Sequence, residues 1–233
     1  MSYGLPFYRF TVCAGGVQGR SPCSRPKSRS TCDRKRRKMK GFDTPDYGSD
    51  LNLHALTPRS AANGPGWRFV VHVQGCALRC PSCFNPHTHD FAPRRLVSPA
   101  DLAERVLAQP DLEGVTISGG EPLHQISPLT RFLEILRARS GLSVIVFSGF
   151  TLDEAKALSG ADRLLALVDI LVDGRYVEAL RCADGLRGSC NQRIHLLTDR
   201  YSPADLVPCG AAEVIVEPDG HLILTGFDPP ALR

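Results

Sequence analysis

No stretch of this 233-residue chain offers the roughly 18–20 consecutive apolar residues that a membrane-spanning helix needs. Its most apolar run, "LLALVDILVDG", is broken by Asp169 and Asp173. The start, "MSYGLPFYRFTVCAGG", lacks a basic segment followed by a clean apolar one, so it does not read as a secretory signal. The expected setting is the cytoplasm, with no membrane partner. There the nine cysteines stay as thiols or metal ligands rather than disulfides. Positive charge is lacking from most of the chain as well. The net charge is +4, yet residues 1–38 hold ten Lys/Arg against Asp33 alone, and the remainder holds 18 Lys/Arg against 23 Asp/Glu. A body with an acidic excess argues against a nucleic-acid partner. Internal repeats are absent too.

What is present falls into four stretches. Residues 1–38 are rich in Ser, Arg, Pro and Gly, end in "RKRRK", and read as a disordered basic leader. Met39 is an alternative natural start, with 39–62 as an N-terminal extension. Residues 63–200 alternate strand and helix signals. Residues 201–233 carry "EVIVEPDGHLILTGF", two alternating runs around Pro218-Asp219-Gly220, which predicts a β-hairpin appendage. Cys13, Cys23 and Cys32 lack metal-site spacing.

Within 63–200 the strand signals are 67–73, 114–118, 142–148 and 169–173, with 193–197 as a fifth candidate. Ser98-Pro99 and Ser127-Pro128 look like helix starts, and Thr151 with Glu154 forms a capping box. Leu129, Phe132, Leu133 and Leu136 follow the spacing of an apolar helix face. The alternation predicts an α/β fold with a mostly parallel sheet. In such folds the C-terminal strand ends share one face, where sites are built. Those ends here are Gln74-Gly75-Cys76, Ser118-Gly119-Gly120-Glu121, Ser148-Gly149 and Asp173-Gly174.

The first end opens "GCALRCPSC", with Cys76, Cys80 and Cys83 inside eight residues. Three cysteines are one ligand short of a structural zinc site, and His87 or His89 in "NPHTHDF" would complete Cys3His. The alternative is an iron–sulfur cluster with one iron left open for a substrate. On spacing alone both remain open.

"GCALRCPSCFN" resembles the C-x3-C-x2-C-aromatic signature of the radical S-adenosylmethionine (SAM) superfamily, and "ISGGEPLHQ" is similar to its second motif. "NGPGWRFVVHVQGC", "SGGEPL", "FSGFTLDE", "ILVDGRYVEAL" and "GSCNQRIHLL" resemble the activating proteins of anaerobic ribonucleotide reductase, and less closely the pyruvate formate-lyase activating enzymes.

The resemblance implies a partial (β/α) barrel of radical SAM type. It implies one [4Fe-4S] cluster held by Cys76, Cys80 and Cys83, with SAM chelating the open iron. Reductive cleavage of SAM would then allow abstraction of a glycine α-hydrogen, leaving a glycyl radical in a partner enzyme. A flavodoxin or ferredoxin would supply the electron. Ser118, Gly119, Gly120, Glu121, Ser148, Gly149, Asp173 and Arg175 are carried over as SAM-binding positions. Phe84 is expected near the cofactors, and Asn191 facing SAM or the target. His87, His89, His124 and His195 receive no role. A radical SAM enzyme acting on a peptide or small molecule is the second reading, and a Cys3His zinc adaptor the third.

Overall fold

The computed structural model describes residues 8–12, 45–206, 212–216, 219–220 and 222–227. In chain order its strands are β1 (Tyr8–Val12), β2 (Leu51–Ser60), β3 (Arg68–Val73), β4 (Leu96–Val97), β5 (Gly114–Gly119) and β6 (Ser143–Ser148). They continue with β7 (Ile170–Asp173), β8 (Arg181–Asp184), β9 (Arg187–Ser189), β10 (Arg193–Leu196), β11 (Ala212–Val216) and β12 (Leu222–Gly226). The helices are α1 (Pro99–Leu107), α2 (Ile126–Arg139), α3 (Leu152–Lys156) and α4 (Ala161–Leu165).

Seven strands form one open sheet in the order β10-β7-β6-β5-β3-β2-β4. Its centre, β3-β5-β6-β7, is parallel, while β2 and β10 add antiparallel edges. The fold is α/β with a mostly parallel sheet, and the sheet does not close into a barrel. The fifth strand signal, 193–197, thus corresponds to an antiparallel edge strand.

The central strands are apolar on both faces, as parallel strands covered on both sides must be. Val144 and Val146 point to the face packed by α1 and α2, whereas Ile145, Ile170 and Val172 meet Leu186 and Leu206 on the other. The predicted α2 stripe, Leu129, Phe132, Leu133 and Leu136, is fully buried against the sheet. Each such side chain contributes about 1.5–3 kcal/mol.

Ser98 caps α1, accepting from Asp101 N at 3.1 Å, with Pro99 in the first turn. Thr151 and Glu154 form the expected capping box. The second Ser-Pro start is displaced. A 3-10 turn, Pro122–Gln125, leads directly into α2 at Ile126, so Ser127 lies inside the first turn and Gln125 precedes it. The Gln125 side chain instead binds Asn52 N (2.8 Å), Asn52 O (3.0 Å) and Gln74 O (2.9 Å), tying β2 to the end of β3.

Strand β2 lies in the stretch 39–62 and places Leu51 and Leu53 in the main core. The predicted C-terminal hairpin is β11-β12, with Gly220 at φ +84°. It docks on the body through Asn63 Nδ2 to Thr225 Oγ1 (2.8 Å) and Ala61 N to Glu213 Oε2 (3.2 Å). Strand β1 pairs with β11. Tyr8–Val12, within the stretch read as a basic leader, thus lies along the edge of the hairpin. Cys13, Cys23, Cys32 and Cys209 lie outside the described residues.

Candidate functional site

The chain leaves β3 through Gly75, whose φ of +102° is the positive value a sharp turn requires. Two further left-handed residues, Arg79 (φ +44°) and Ser82 (φ +55°), each stand immediately before a cysteine, Cys80 and Cys83. Such backbone carries a cost for residues with a Cβ, and it persists where surrounding structure holds it. Here the start of the loop is pinned by three hydrogen bonds. Gly75 N donates to Thr88 O (2.8 Å) and Cys76 N to His89 O (3.2 Å). Ala77 N donates to His124 Nε2 at 3.2 Å. His124 sits between Phe91 and Phe150, and burial lowers its pKa to about 4, so the ring stays neutral and can accept. No role was read for His124 in the sequence; its place in the turn after β5 gives it one in positioning the cysteine loop.

Cys76, Cys80 and Cys83 line one pocket together with Ser118, Gly119, Gly120, Glu121, Ser148 and Gly149. Cys76, Cys80 and Cys83 are free thiols. Burial pushes Cys76 up to about 11 and also raises Cys83, so metal loading would have to displace protons. Three thiols from one short loop fit a cluster, in which each thiolate can bind a different iron.

The ends of β5 and β6 meet at Glu121. Its carboxylate is 1% exposed and accepts from Leu123 N (2.9 Å), Ser148 Oγ (2.9 Å) and Gly149 N (2.8 Å). Burial pushes its pKa up to about 7, and the three donors oppose that rise. Gly119 and Gly120 leave no room for a side chain. A Cβ would lie 2.7 Å from Val73 N at Gly119 and 2.5 Å from Gly75 O at Gly120. The backbone of the GGE turn is therefore packed directly on the root of the cysteine loop.

Three sequence-predicted positions, Asp173, Arg175 and Asn191, fall outside this pocket lining. Asp173 is buried and accepts from Leu152 N (2.6 Å) at the start of α3. Arg175 pairs with Glu154 (2.6 Å) and donates to Gly149 O (3.4 Å). Both brace the turn that carries Gly149. Asn191 donates to Arg175 O (2.8 Å) on an exposed surface, and it is the neighbouring Gln192 that lines the pocket. Phe84 does line it, in edge contact with Tyr176 (centroids 4.6 Å apart) and Phe227 (5.1 Å). Phe227 comes from the hairpin, which no spacing rule could have assigned to the site. His87 is exposed, while His89 lines the pocket. A roomier cavity, about 750 Å³, lies between the starts of α1 and α2 and contains none of the cysteines.

The family described as "4Fe-4S single cluster domain" matches residues 62–195. The chain is 31% identical over 158 residues to the anaerobic ribonucleoside-triphosphate reductase-activating protein of Escherichia coli K12, covering 63% of this chain and 99% of that protein. The chain belongs to this family of iron–sulfur activating proteins. The corresponding protein of phage T4 is 29% identical over 154 residues, covering 64% of this chain and 96% of the relative. The pyruvate formate-lyase-activating enzyme of Listeria monocytogenes is 32% identical over 127 residues, 52% of this chain and 51% of the relative. The crystal structure of QueE from Escherichia coli aligns with a TM-score of 0.34 at 19% identity, over 52% of this chain and 67% of that one, a likeness too slight to argue from. As a member of the activating-protein family the chain is a radical SAM enzyme, and an iron–sulfur cluster and SAM are its cofactors. No helix among the described residues is long and apolar enough to cross a membrane.

Proposed function

We propose that this protein is a glycyl-radical-generating activase of the cytoplasm. Cys76, Cys80 and Cys83 hold one [4Fe-4S] cluster and leave one iron to SAM. The observation that carries this reading is the shared pocket: three thiols and six strand-end residues, from three separate strand ends, face one space. When bound, the reduced cluster and SAM supply a carbon-centred radical able to remove a hydrogen atom.

The chain's own residues bind, orient and exclude water. Gly119 and Gly120 let the backbone come close to the methionine end of SAM. Glu121, held by Ser148 and Gly149, fixes the two strand ends against each other and presents a buried carboxylate to that end. Asp173 and Arg175 act from behind, by fixing the turn after β6. Phe84, Tyr176 and Phe227 form an aromatic wall that keeps the site dry. The catalytic unit is 63–200 with strand β2, and 201–233 is its appendage.

The partner is a glycyl radical enzyme, the class named by its relatives' targets, and the electron donor is of flavodoxin or ferredoxin type. The test is EPR. Reconstituted protein, SAM and dithionite are mixed anaerobically with a candidate glycyl radical enzyme. A glycyl doublet is expected; its absence with every candidate refutes the activase reading. One observation favours a second reading, modification of a peptide or small molecule. The match spans 99% of the Escherichia coli relative with only 63% of this chain, and the hairpin beyond 200 contributes Phe227 to the pocket. Mass change in such a substrate, with no glycyl signal, would favour it.

A further inference from the structure

His89 is the one imidazole among the residues lining the cysteine pocket. Its main chain is fixed twice. His89 N donates to Pro86 O (3.2 Å), closing a 3-10 turn, and His89 O accepts from Cys76 N (3.2 Å). The residue is thus locked to the first cysteine of the loop. Its ring nitrogen Nε2 is buried and has no hydrogen-bond partner. A buried polar atom left unpaired costs about 1–3 kcal/mol, so such an atom beside a binding pocket calls for a partner that arrives with the ligand.

The chain offers that nitrogen little else. Both oxygens of Glu121, the buried carboxylate of the pocket, already accept from Leu123, Ser148 and Gly149. An imidazole carries at least one N–H in either protonation state, so the ring has a hydrogen bond to give. Cluster sulfides and cysteine thiolates are acceptors that cannot donate.

We propose that His89 donates a hydrogen bond from Nε2 to a sulfur of the iron–sulfur cluster and thereby raises the potential at which the cluster accepts its electron. The inference rests on the proposed three-cysteine cluster. Its physical basis is general: a donor to a cluster sulfur withdraws charge and stabilises the reduced state, in which one more electron sits on the cluster. His89 acts as a hydrogen-bond donor and transfers no proton.

The experiment is a dithionite redox titration of the full-length, anaerobically reconstituted protein without SAM, followed by the EPR signal of the reduced cluster. His89→Leu removes the donor, and His89→Gln keeps an N–H on a side chain of similar reach. With equal iron and sulfide content, His89→Leu is expected to be about tenfold harder to reduce, a fall of about 59 mV for a one-electron couple. His89→Gln should recover most of that fall. Equal potentials for wild type and His89→Leu overturn the proposal, as does a His89→Gln variant that falls as far as His89→Leu.

If His89→Leu loads no cluster, wild-type protein carrying ¹⁵N-histidine provides the second measurement. Pulsed EPR of its reduced cluster should show a ¹⁵N coupling, and the absence of one overturns the proposal. Omitting SAM removes its carboxylate as an alternative acceptor: a potential shift seen only with SAM present also contradicts the assignment. Wild-type protein that takes up no iron sinks the proposed function and this inference together. A loaded cluster with an unmoved potential sinks this inference alone.

Discussion

Ser148 donates its hydroxyl to Glu121 Oε1 at 2.9 Å, joining the C-terminal end of β6 to the turn that follows β5. Neither residue is near the other in sequence, and the contact is buried. It is one of three donors that let a carboxylate sit at 1% exposure beside the cysteines. Ser148→Ala removes one donor and leaves the acceptor buried. The expected cost is about 1–3 kcal/mol of unfolding free energy in the metal-free protein, read as a lower urea midpoint. An unchanged midpoint would show that the brace contributes nothing.

Gly120 is the tightest point between the GGE turn and the cysteine loop. An added methyl would lie 2.5 Å from Gly75 O, a backbone atom that cannot swing aside. Gly120→Ala should therefore shift the loop, with a cost of about 1–3 kcal/mol and a loss of bound iron after reconstitution. Wild-type iron content and melting temperature in this variant would contradict the close packing.

His72, on β3, has its pKa lowered to about 4, chiefly by burial and then by the charge of His54. The folded state therefore binds its proton less readily than the unfolded chain does. The stability this group contributes is present above its unfolded value of about 6.5 and is lost as pH falls toward 4. At about pH 5 the loss attributable to His72 is about 2 kcal/mol. Urea unfolding of the metal-free protein at pH 7 and pH 5 measures it. The fall between the two should be smaller in His72→Leu by about that amount; an identical fall in both proteins would show that His72 is not the group responsible.

The sequence carried much of this arrangement, because periodicity and caps are local. The buried stripe of α2, the Ser98 and Thr151 caps and the four central strands each follow from residues within a few positions of one another. The convergence of "GCALRCPSC", "SGGE" and "FSG" on one pocket followed from the rule that parallel strand ends share a face. The misses are all non-local. Strand β2 carries Pro58 and reads poorly as a strand alone; it is an edge-proximal strand held by pairing with β3. The start of α2 moved from Ser127 to Ile126 because the Pro122–Gln125 turn runs straight into it. The contacts of Asp173 with Leu152 N and of Arg175 with Glu154 likewise join residues about two dozen positions or fewer apart through the fold and not through local pattern. His124 and Phe227 reach the site through tertiary packing, which no motif spacing records.

The central claim is that three cysteines hold a cluster whose open iron engages SAM. It is tested most directly by 5′-deoxyadenosine formation from SAM under dithionite, in reconstituted wild type and in Cys80→Ala. The wild type should form 5′-deoxyadenosine and the variant none above background. Cleavage by Cys80→Ala at the wild-type rate, or a colourless wild-type protein holding one zinc, would contradict the account.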